Sequence, residues 1–303
     1  MGDQKTPLIK RIKANTIAAP VIEIVESWYT EWLEYSTCET GIITSSLAKS
    51  WATAEMKGRP YVVLQPKNRE DVYLRVVEID KVAKYKPMTT LGWNAFELIC
   101  DDVYEVHKKL INSPFKIIGE PASLGGELDF IHAMQVEGPA QDILYITCDT
   151  KRASDTLLPA CDSFVGRPFI VILAGNGVDK IQNYYSEKFC MHRDEDMQTP
   201  IGVIAKAQGL PEQHTFDMGF MSLSETGNFI EYDGYGAQYG ARNQNVNQLP
   251  PGCSTVSFEV DNIDSIDLQF LGESVTENSI IYSGKRARTA RGPAGELIEL
   301  IET

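Results

Sequence analysis

Two glutamates in the second half of the chain lie at matching places in two similar stretches. Glu231 lies in "GNFIEYDG" (227–234), and Glu299 lies in "GPAGELIELIE" (292–302). Two carboxyls that face one partly dry cavity repel each other, so one of them holds its proton near neutral pH. Such a pair can remove and return a proton beside a carbonyl group. We therefore predict Glu299 and Glu231 as a catalytic acid and base, with Glu299 as the stronger candidate.

A structural role is the alternative for both glutamates. A carboxylate on a strand can be neutralised by a cation on the adjoining strand, and "KRARTARGPAGE" places Arg286, Arg288 and Arg291 just ahead of Glu299. In that case the carboxylate stabilises the fold and takes no part in chemistry. The sequence leaves both roles open.

Aromatic, cationic and imidazole side chains are the candidates for contact with a substrate. Arg75 and Tyr145 lie in the first half at the places that the two glutamates take in the second. The segment 233–242, "DGYGAQYGAR", follows Glu231 and has the glycines of a mobile lid, although it serves equally well as a linker. His132 is the one histidine within an apolar strand, "FIHAMQV". The full candidate set is Tyr145, Arg75, His132, Tyr232, Tyr235, Tyr239, Arg242, Arg286 and Arg288.

Two pairs of similar stretches indicate that the chain is a duplication. "EGPAQDILYITC" (137–148) returns as "RGPAGELIELIE" (291–302), and "WYTEWL" (28–33) returns as "YYSEKF" (184–189). The offsets of 154 and 156 residues agree closely and are about half the chain length. Two independent matches at one spacing favour a repeated architecture.

Each half divides again into two units with one order of elements: a strand, an amphipathic helix, then further strands. Pro20 is suited to open the first helix, and Asp102 is suited to cap the second. A third helix is predicted over 178–190, and the predicted strands include 41–46, 200–207 and 279–283. The predicted halves are 1–150, with units 1–85 and 90–150, and 165–303, with units 165–235 and 251–303, joined by a linker over 151–164.

Four βαβββ units resemble the vicinal oxygen chelate superfamily, which includes glyoxalase I, extradiol dioxygenases and bleomycin-resistance proteins. The resemblance rests on the strand–Asp–helix openings "FELICDDVYEV" and "VSFEVDNIDSI", on "YYSEKFCM", and on the endings "GNFIEYDG" and "GPAGELIELIE". It implies an α+β fold in which the units pair into two cup-shaped mixed sheets. We expect the two units of one half to share a cup. Arg75 and Tyr145 would then face an N-terminal cup, and Glu231 and Glu299 a C-terminal cup.

The resemblance also implies a divalent metal in the cup, held by histidines from first strands and glutamates from last strands. Such a metal needs several nitrogen or oxygen donors at fixed geometry. The last strands offer Glu231 and Glu299, but no histidine falls on a predicted first strand; the four are His107, His132, His192 and His214. We therefore predict no cofactor. If Fe, Mn or Zn does bind, Glu299 and Glu231 are the predicted ligands.

The composition of the chain narrows the partners. With 28 Lys and Arg against 42 Asp and Glu, the net charge of −14 repels phosphate, so nucleic acid is not predicted as a partner. No apolar run approaches the roughly 20 residues that span a bilayer. The six cysteines are scattered without a C-x-x-C pair, which predicts reduced thiols and a cytoplasmic protein. The expected partner is a small molecule, and the chain is predicted to be a monomer or a homodimer.

Three functions are compatible with these residues. The first is acid–base chemistry of the isomerase or lyase type on a small molecule with a carbonyl or vicinal oxygens. The second is binding of an aromatic or drug-like molecule without turnover, as the bleomycin-resistance branch implies. The third is an extradiol-dioxygenase-like metalloenzyme, for which the expected histidines are missing.

Overall fold

A computed structural model describes residues 6–151, 156–193 and 195–303 of the chain. The strands are β1 (Ile9–Ala19), β2 (Ser36–Ile42), β3 (Pro60–Gln65), β4 (Tyr73–Glu78), β5 (Gly92–Cys100), β6 (Lys116–Ser123), β7 (Ile131–Glu137), β8 (Ile143–Asp149), β9 (Val165–Gly175), β10 (Met197–Pro200), β11 (Thr215–Ser222), β12 (Phe229–Gly234), β13 (Gly252–Val260), β14 (Val275–Thr276), β15 (Arg286–Arg291) and β16 (Leu297–Glu302). The α-helices are α1 (Ile22–Trp32), α2 (Ser45–Ser50), α3 (Val103–Leu110), α4 (Val178–Phe189) and α5 (Gly202–Gln208).

The strands form two curled, mixed sheets of eight strands each, as the predicted fold class requires. The order in sheet 1 is β14-β15-β16-β13-β1-β4-β3-β2, and in sheet 2 it is β10-β11-β12-β9-β5-β8-β7-β6. In each sheet two first strands meet antiparallel at the centre, β1 with β13 and β5 with β9. Each first strand also lies parallel to the last strand of its own unit.

The pairing of units differs from the prediction. Sheet 1 joins the first unit to the fourth, and sheet 2 joins the second unit to the third. The expectation that the two units of one half share a cup was therefore wrong. All four first strands are almost wholly buried, so their sequences lack the polar–apolar alternation that would indicate a partner. The ranges 1–150 and 165–303 stay a prediction of the duplicated halves, and residues 152–155 of the predicted linker lie outside the described residues.

The main hydrophobic core lies between the convex faces of the two sheets and the helices α1, α3 and α4. It includes Tyr29 and Leu74 on the side of sheet 1, and Phe96, Leu144 and Tyr185 on the side of sheet 2. The concave faces carry two separate clusters. We call the concave face of sheet 1 cup 1, where Ala14, Leu47, Trp51, Val63, Ile281, Tyr282 and Ile301 pack together. We call the concave face of sheet 2 cup 2, where Ala95, Tyr145, Phe169, Ile172, Phe216 and Tyr235 cluster.

The three helices predicted above are confirmed as α1, α3 and α4, although α1 begins at Ile22, two residues after Pro20. Local chemistry explains the start of α3. The Asp102 carboxylate accepts hydrogen bonds from the backbone N–H groups of Tyr104 and Glu105, and so caps α3 as expected. No described helix has both the length and the apolar character that crossing a bilayer requires.

Three predicted strands have other structures. Residues 200–207 were predicted as a strand but mostly form α5, because "GVIAKAQ" is rich in helix-forming residues and ends at Gly209, whose φ is +72°. The stretch 41–46 spans the end of β2 and the start of α2, which Thr44 caps. The stretch 279–283 is a turn that places Tyr282 in cup 1.

The two repeated sequence motifs meet in space. Tyr29 of α1 donates a hydrogen bond to the Asp142 carboxyl in the Gly-Pro-Ala turn before β8, at 2.5 Å. In the second half Tyr185 of α4 donates to Glu296 in the equivalent turn, at 3.0 Å. Each carboxyl also accepts a bond from its own turn, from the N–H of Ala140 or Ala294. Each half is thus held together across the two sheets by one phenol and one carboxyl.

We expect Tyr29→Phe to lower the free energy of unfolding by about 1 to 3 kcal/mol, because it leaves a buried Asp142 oxygen without its donor. Urea denaturation measures this change. Tyr61→Phe is the matched control, since Tyr61 donates to the part-exposed Glu39 and should cost less. Equal stability of Tyr29→Phe and the wild type would contradict a structural role for this bond.

Candidate functional site

Cup 1 is filled by the protein itself. The helix α2, Trp51, Leu249 and Tyr282 pack into it beside residues of the sheet. At its floor lie Arg75 on β4 and Glu299 on β16, which are 2% and 0% exposed. The interior of cup 1 is therefore part of the hydrophobic core.

Glu299 is held by four donors. Arg75 Nη2 lies 3.1 Å from Glu299 Oε2, and Trp51 Nε1 and the Tyr282 hydroxyl donate to Oε1 at 2.7 and 2.8 Å. The Ser257 hydroxyl donates to Oε2 as well. Burial acts to raise the pKa of Glu299, but Arg75 and the hydroxyl and indole donors outweigh it, so the pKa lies below its usual value. Both carboxylate oxygens of Glu299 thus already accept hydrogen bonds from neighbouring side chains.

Arg75 completes the same cluster from the opposite side. Its guanidinium donates to Thr16 Oγ1 at 3.0 Å and to the Tyr282 hydroxyl at 2.5 Å, and it stacks 4.6 Å from the ring centre of Trp51. The cation that neutralises Glu299 therefore comes from the first unit. Of the three arginines predicted for that role, Arg286 and Arg288 have other partners, and Arg291 donates to the carbonyl oxygen of Gly295.

Cup 2 is open and holds a cavity of about 1110 Å³. Its wall is mainly apolar, with Phe169, Ile170, Phe220 and Phe229 among the larger side chains. The helix α5 and residues around Leu158 form part of the rim. Pocket volumes of about 300 to 1,000 Å³ accommodate small organic molecules. Cup 2 therefore has the size and lining of a binding site.

Three ionisable side chains reach this cavity from the central strands of sheet 2. Glu97 on β5 lies directly beside Tyr145 on β8, and Glu231 lies on β12, on the far side of β9. All three line the cavity, and each is at most 9% exposed. The Thr147 hydroxyl donates to Glu97 Oε1 at 2.5 Å. Glu231 has no hydrogen bond or ion pair to any other described residue, so its carboxyl faces the cavity unpartnered.

The environment of these carboxyls favours their neutral forms. Burial raises the pKa of Glu97 to about 7, against the opposing effect of the Thr147 hydrogen bond. Burial, together with the charges of Asp233 and Glu97, raises the pKa of Glu231 well above its usual value. Burial, with Asp233 and Glu231 nearby, also raises the pKa of Tyr145. Both carboxyls therefore keep their protons to a higher pH than an exposed glutamate does.

Asp233 lies behind Glu231 on the same face of β12 and has no exposed surface. Neither of its carboxyl oxygens has a hydrogen-bond partner among the described residues. Burial raises its pKa to about 7. Nearby, Asn94 Nδ2 donates to the Tyr235 hydroxyl at 2.6 Å, while Asn94 Oδ1 is also without a partner there. The floor of cup 2 therefore contains buried polar atoms that have no hydrogen-bond partner among the described residues.

We expect Asp233→Asn to stabilise the protein increasingly as the pH rises. Folded Asp233 keeps a proton up to about pH 7 that the unfolded chain loses near 3.8, so wild-type stability falls across that window. Above it, the gain of the variant is about 2 to 4 kcal/mol. Thermal unfolding at pH 5 and pH 8 measures it, with Asp217→Asn, at an exposed carboxyl on the adjacent β11, as control. A gain in stability that does not depend on pH would contradict the raised pKa of Asp233.

The structure separates the two predicted catalytic residues. Glu231 lines the cavity of cup 2, whereas Glu299 is buried at the floor of cup 1 on the other sheet. The prediction that they share one cavity was wrong, because the fourth unit pairs with the first and not with the third. The pairs that do share a cup are Arg75 with Glu299, and Tyr145 with Glu231.

Most of the predicted contact residues lie outside the open cavity. Tyr232 points to the convex face of sheet 2, where its hydroxyl contacts Gln182 and Asp196. His132 points outward from β7 and bonds to the Tyr104 hydroxyl at 2.7 Å. These two residues are therefore held by neighbours outside the cup.

The predicted arginines are engaged elsewhere. Arg286 pairs on the surface with Glu302 and Asp264, and Arg288 stacks on the ring of Phe270. Arg242 is buried and donates to the carbonyl oxygens of Trp93, Pro251 and Cys253, which fixes the connection between the third and fourth units.

The two tyrosines of the predicted lid segment, 233–242, pack against each other outside the main cavity. Tyr235 packs at the closed end of cup 2, and Tyr239 packs against it with ring centres 5.7 Å apart. Neither lines the main cavity.

The residues of cup 2 do not fit the metal that the resemblance implies. The resemblance implies ligands at one position on each first strand and one on each last strand of a cup. In cup 2 these four positions carry Ala95, Phe169, Tyr145 and Glu231, so only one of them has a carboxylate or imidazole. No group of three or more His, Cys, Asp or Glu side chains in the described part of the chain is arranged to hold a metal ion. The buried carboxyls that line the cavity, Glu97 and Glu231, have raised pKa values and are therefore weak metal ligands, since ligands must be deprotonated to bind.

The chain matches no protein-family model, and no curated protein matches it in sequence. Solved structures are similar in fold. Glyoxalase I from Zea mays superimposes with a TM-score of 0.62 at 13% identity, over 96% of this chain and 92% of that one. A Bacillus subtilis protein solved as a candidate dioxygenase gives a TM-score of 0.64 at 9% identity, over 98% of this chain and 86% of that one.

These likenesses span almost the whole of each chain, so they include both sheets. They confirm the duplicated glyoxalase-like fold. At these identities the likeness extends to fold alone. The chemistry of this protein therefore has to be argued from its own cups.

Proposed function

We propose that this protein, which has the duplicated fold of the vicinal oxygen chelate superfamily, binds a small, largely apolar organic molecule in cup 2. The observation that carries the proposal is the cavity of about 1110 Å³, walled by apolar side chains and ending on unpartnered Glu231. A well-formed apolar cavity with a few convergent polar groups is the usual form of a small-molecule site.

The lining favours an aromatic or aliphatic body with one polar end. Phe169, Phe220 and Phe229 present ring surface to the cavity. Burying a molecule against such surface contributes about 25 cal/mol per Å² of apolar area. The polar groups Glu97, Tyr145 and Glu231 lie together, so they would orient the ligand by its polar end.

Cup 1 serves the fold in this proposal. Its carboxylate, Glu299, already has a donor on each oxygen, and the space in front of it is filled by Trp51 and Tyr282. Both cups are complete within one chain, so ligand binding requires no second copy.

A thermal-shift screen tests the proposal. Aromatic ketones, aldehydes, phenols and amines are added one at a time, and the unfolding temperature is recorded. A molecule that binds the folded state raises the unfolding temperature by mass action. The expected result is stabilisation by apolar molecules with one polar group, and not by fully polar ones of similar size. Stabilisation by polar molecules alone would contradict the proposal.

A second candidate function is acid–base turnover of the bound molecule, favoured by the raised pKa values of Glu97 and Glu231, which both line the cavity. With its pKa near 7, Glu97 can take a proton from the carbon next to a carbonyl group. Neutral Glu231 can give its own proton to the carbonyl oxygen. The ligand then becomes an enol, Glu97 becomes neutral and Glu231 becomes a carboxylate. If the enol is conjugated, Glu97 can return its proton to a different carbon while Glu231 takes back the proton of the enol oxygen, which reforms a carbonyl group and completes an isomerisation.

Deuterium exchange separates the two candidates. A bound aromatic ketone is incubated with the protein in D₂O, and loss of its α-proton signal is followed by NMR. Turnover predicts fast exchange that Glu97→Gln abolishes while binding remains, with Glu212→Gln at the exposed rim as the control. Exchange at the uncatalysed rate, with binding intact, assigns the protein to binding alone.

A further inference from the structure

Cup 1 and cup 2 are built on the same register, so their residues can be compared position by position. Arg75 lies opposite Thr16 in cup 1 as Tyr145 lies opposite Glu97 in cup 2. Glu299 lies opposite Ser257 as Glu231 lies opposite Ile172. The pair Tyr145 and Glu231 therefore occupies the places of the pair Arg75 and Glu299.

The comparison shows what cup 2 lacks. In cup 1 the Glu299 carboxylate is neutralised by the Arg75 guanidinium at 3.1 Å. In cup 2 the arginine is replaced by Tyr145, which brings no positive charge. Among the described residues, no lysine or arginine forms an ion pair with Glu97, Glu231 or Asp233.

Cup 2 also carries more buried carboxyl groups than cup 1. Asp233 takes the place of Ile301 of cup 1, and Glu97 takes the place of Thr16. Cup 2 therefore holds three buried carboxyls where cup 1 holds one. Burial of several carboxyls without a counter-ion is costly unless a partner is supplied.

Two further observations point to a ligand in front of these carboxyls. Glu231 is 8% exposed, lines the cavity and has no partner in the described part of the chain. Both oxygens of the fully buried Asp233 are likewise without a hydrogen bond there. The aromatic side chains Tyr145, Phe169 and Phe229 also line the cavity, and the face of an aromatic ring attracts an organic cation.

We infer that the molecule bound in cup 2 is an apolar amine, whose ammonium group takes the place against Glu231 that Arg75 takes against Glu299. This inference rests on the proposed function and names its ligand class. The aromatic or aliphatic body of the amine fills the apolar part of the cavity. The ammonium hydrogen-bonds to Glu231, near Asp233 and Glu97.

Binding of such a cation is coupled to loss of a proton. The free protein holds protons on its buried carboxyls near neutral pH, and a bound ammonium favours the ionised carboxylate. One carboxyl therefore releases its proton to solvent when the amine binds, and affinity rises with pH. The titratable and charged groups that face Glu231 or line the same cavity are Glu97, Asp233, Tyr145, Tyr235, Lys206, Glu120 and Glu212.

Tryptamine and tryptophol provide a matched pair of test molecules, since they share the indole body and differ in an amine against a hydroxyl. Isothermal titration calorimetry at pH 6, in two buffers of different ionisation enthalpy, counts the protons released. We expect tryptamine to bind at least tenfold more tightly and to release close to one proton. Tryptophol is expected to release none. From pH 5 to pH 8 the affinity for tryptamine should rise about tenfold or more, and that for tryptophol should stay level.

Two variants test the geometry. Glu231→Gln is expected to reduce tryptamine affinity to the level of tryptophol. Tyr145→Arg places an internal guanidinium where cup 1 has Arg75, and should weaken tryptamine at least tenfold while tryptophol changes only severalfold. Asp217→Asn removes an exposed carboxyl on β11 that does not line the cavity, and should leave both affinities within twofold.

The failures are distinguishable. Equal binding of tryptamine and tryptophol by the wild type, without proton release, overturns the inference and leaves the proposed function in place. Loss of both molecules to the same extent in Glu231→Gln overturns the inference as well. Failure of both to bind the wild type at millimolar concentration overturns the proposed function itself.

Discussion

Replacing Arg75 with alanine is expected to destabilise the protein by about 3 to 5 kcal/mol, the cost of leaving a buried carboxylate without its partner. Glu299 has no exposed surface and loses the one cation that pairs with it among the described residues, and the Tyr282 hydroxyl and Thr16 lose bonds as well. Urea denaturation at pH 7, followed by circular dichroism, measures the loss.

Two comparisons make this result specific. Arg286→Ala breaks a more exposed pair with Glu302 and should cost less than about 1 kcal/mol. The double change Arg75→Met with Glu299→Leu removes both charges and should recover much of the lost stability. If Arg75→Ala is as stable as Arg286→Ala, the cluster of cup 1 is not the structural element we describe.

The second large effect is expected from filling cup 2. Ala133 on β7 and Ser222 on β11 line the cavity from strands on opposite sides of sheet 2, and tryptophan at both positions would occupy much of the space between them. We expect the double variant to bind apolar ligands at least tenfold more weakly than the wild type. The folded content should be retained, since both new rings enter open space. Ligand titration by calorimetry gives the affinity, and circular dichroism the fold.

Gln198→Trp is the matched control for this variant. It adds the same indole to sheet 2, at an exposed position on β10 outside the cavity, and should leave affinity unchanged. Undiminished binding by the double variant would show that the ligand sits elsewhere.

Much of the fold could be predicted from the sequence, because the features that indicate it are set by residues close together in the chain. The Asp102 cap, the apolar faces of α1 and α4, and the repeated Gly-Pro-Ala turns each depend on residues close in sequence. The pairing of units is different. Central strands such as β1 and β5 are buried on both faces, so nothing in their residue pattern distinguishes one partner from another.

The candidate site could be predicted from the sequence only in part, because it too depends on which distant strands pair. Glu231 was identified from its place after the Gly-Asn turn, but its cavity partner Glu97 was missed. The stretch "WNAFELIC" does contain a signal, a single carboxylate within an otherwise apolar strand, and a charge buried in this way needs a specific explanation. Asp233, two residues after Glu231, carried the same signal. Arg75 within "DVYLRVV" was predicted as a substrate contact and instead pairs with Glu299, which lies 224 residues away in the sequence.

The two cups illustrate how a duplicated fold can divide its roles. In cup 1 the Glu299 carboxylate has an internal cation, and aromatic side chains fill the space in front of it. In cup 2 the corresponding Glu231 has no hydrogen bond or ion pair to another described residue and lies beside an open cavity. At the register position of Arg75, cup 2 has Tyr145, which carries no positive charge.

The most direct test of the account is a crystal structure of the protein with tryptamine bound. We predict electron density for the indole between Phe169 and Phe229 in cup 2, with the ammonium within hydrogen-bond distance of Glu231. Density beside Glu299 in cup 1, or in cup 2 with the ammonium pointing away from Glu231, would contradict the account.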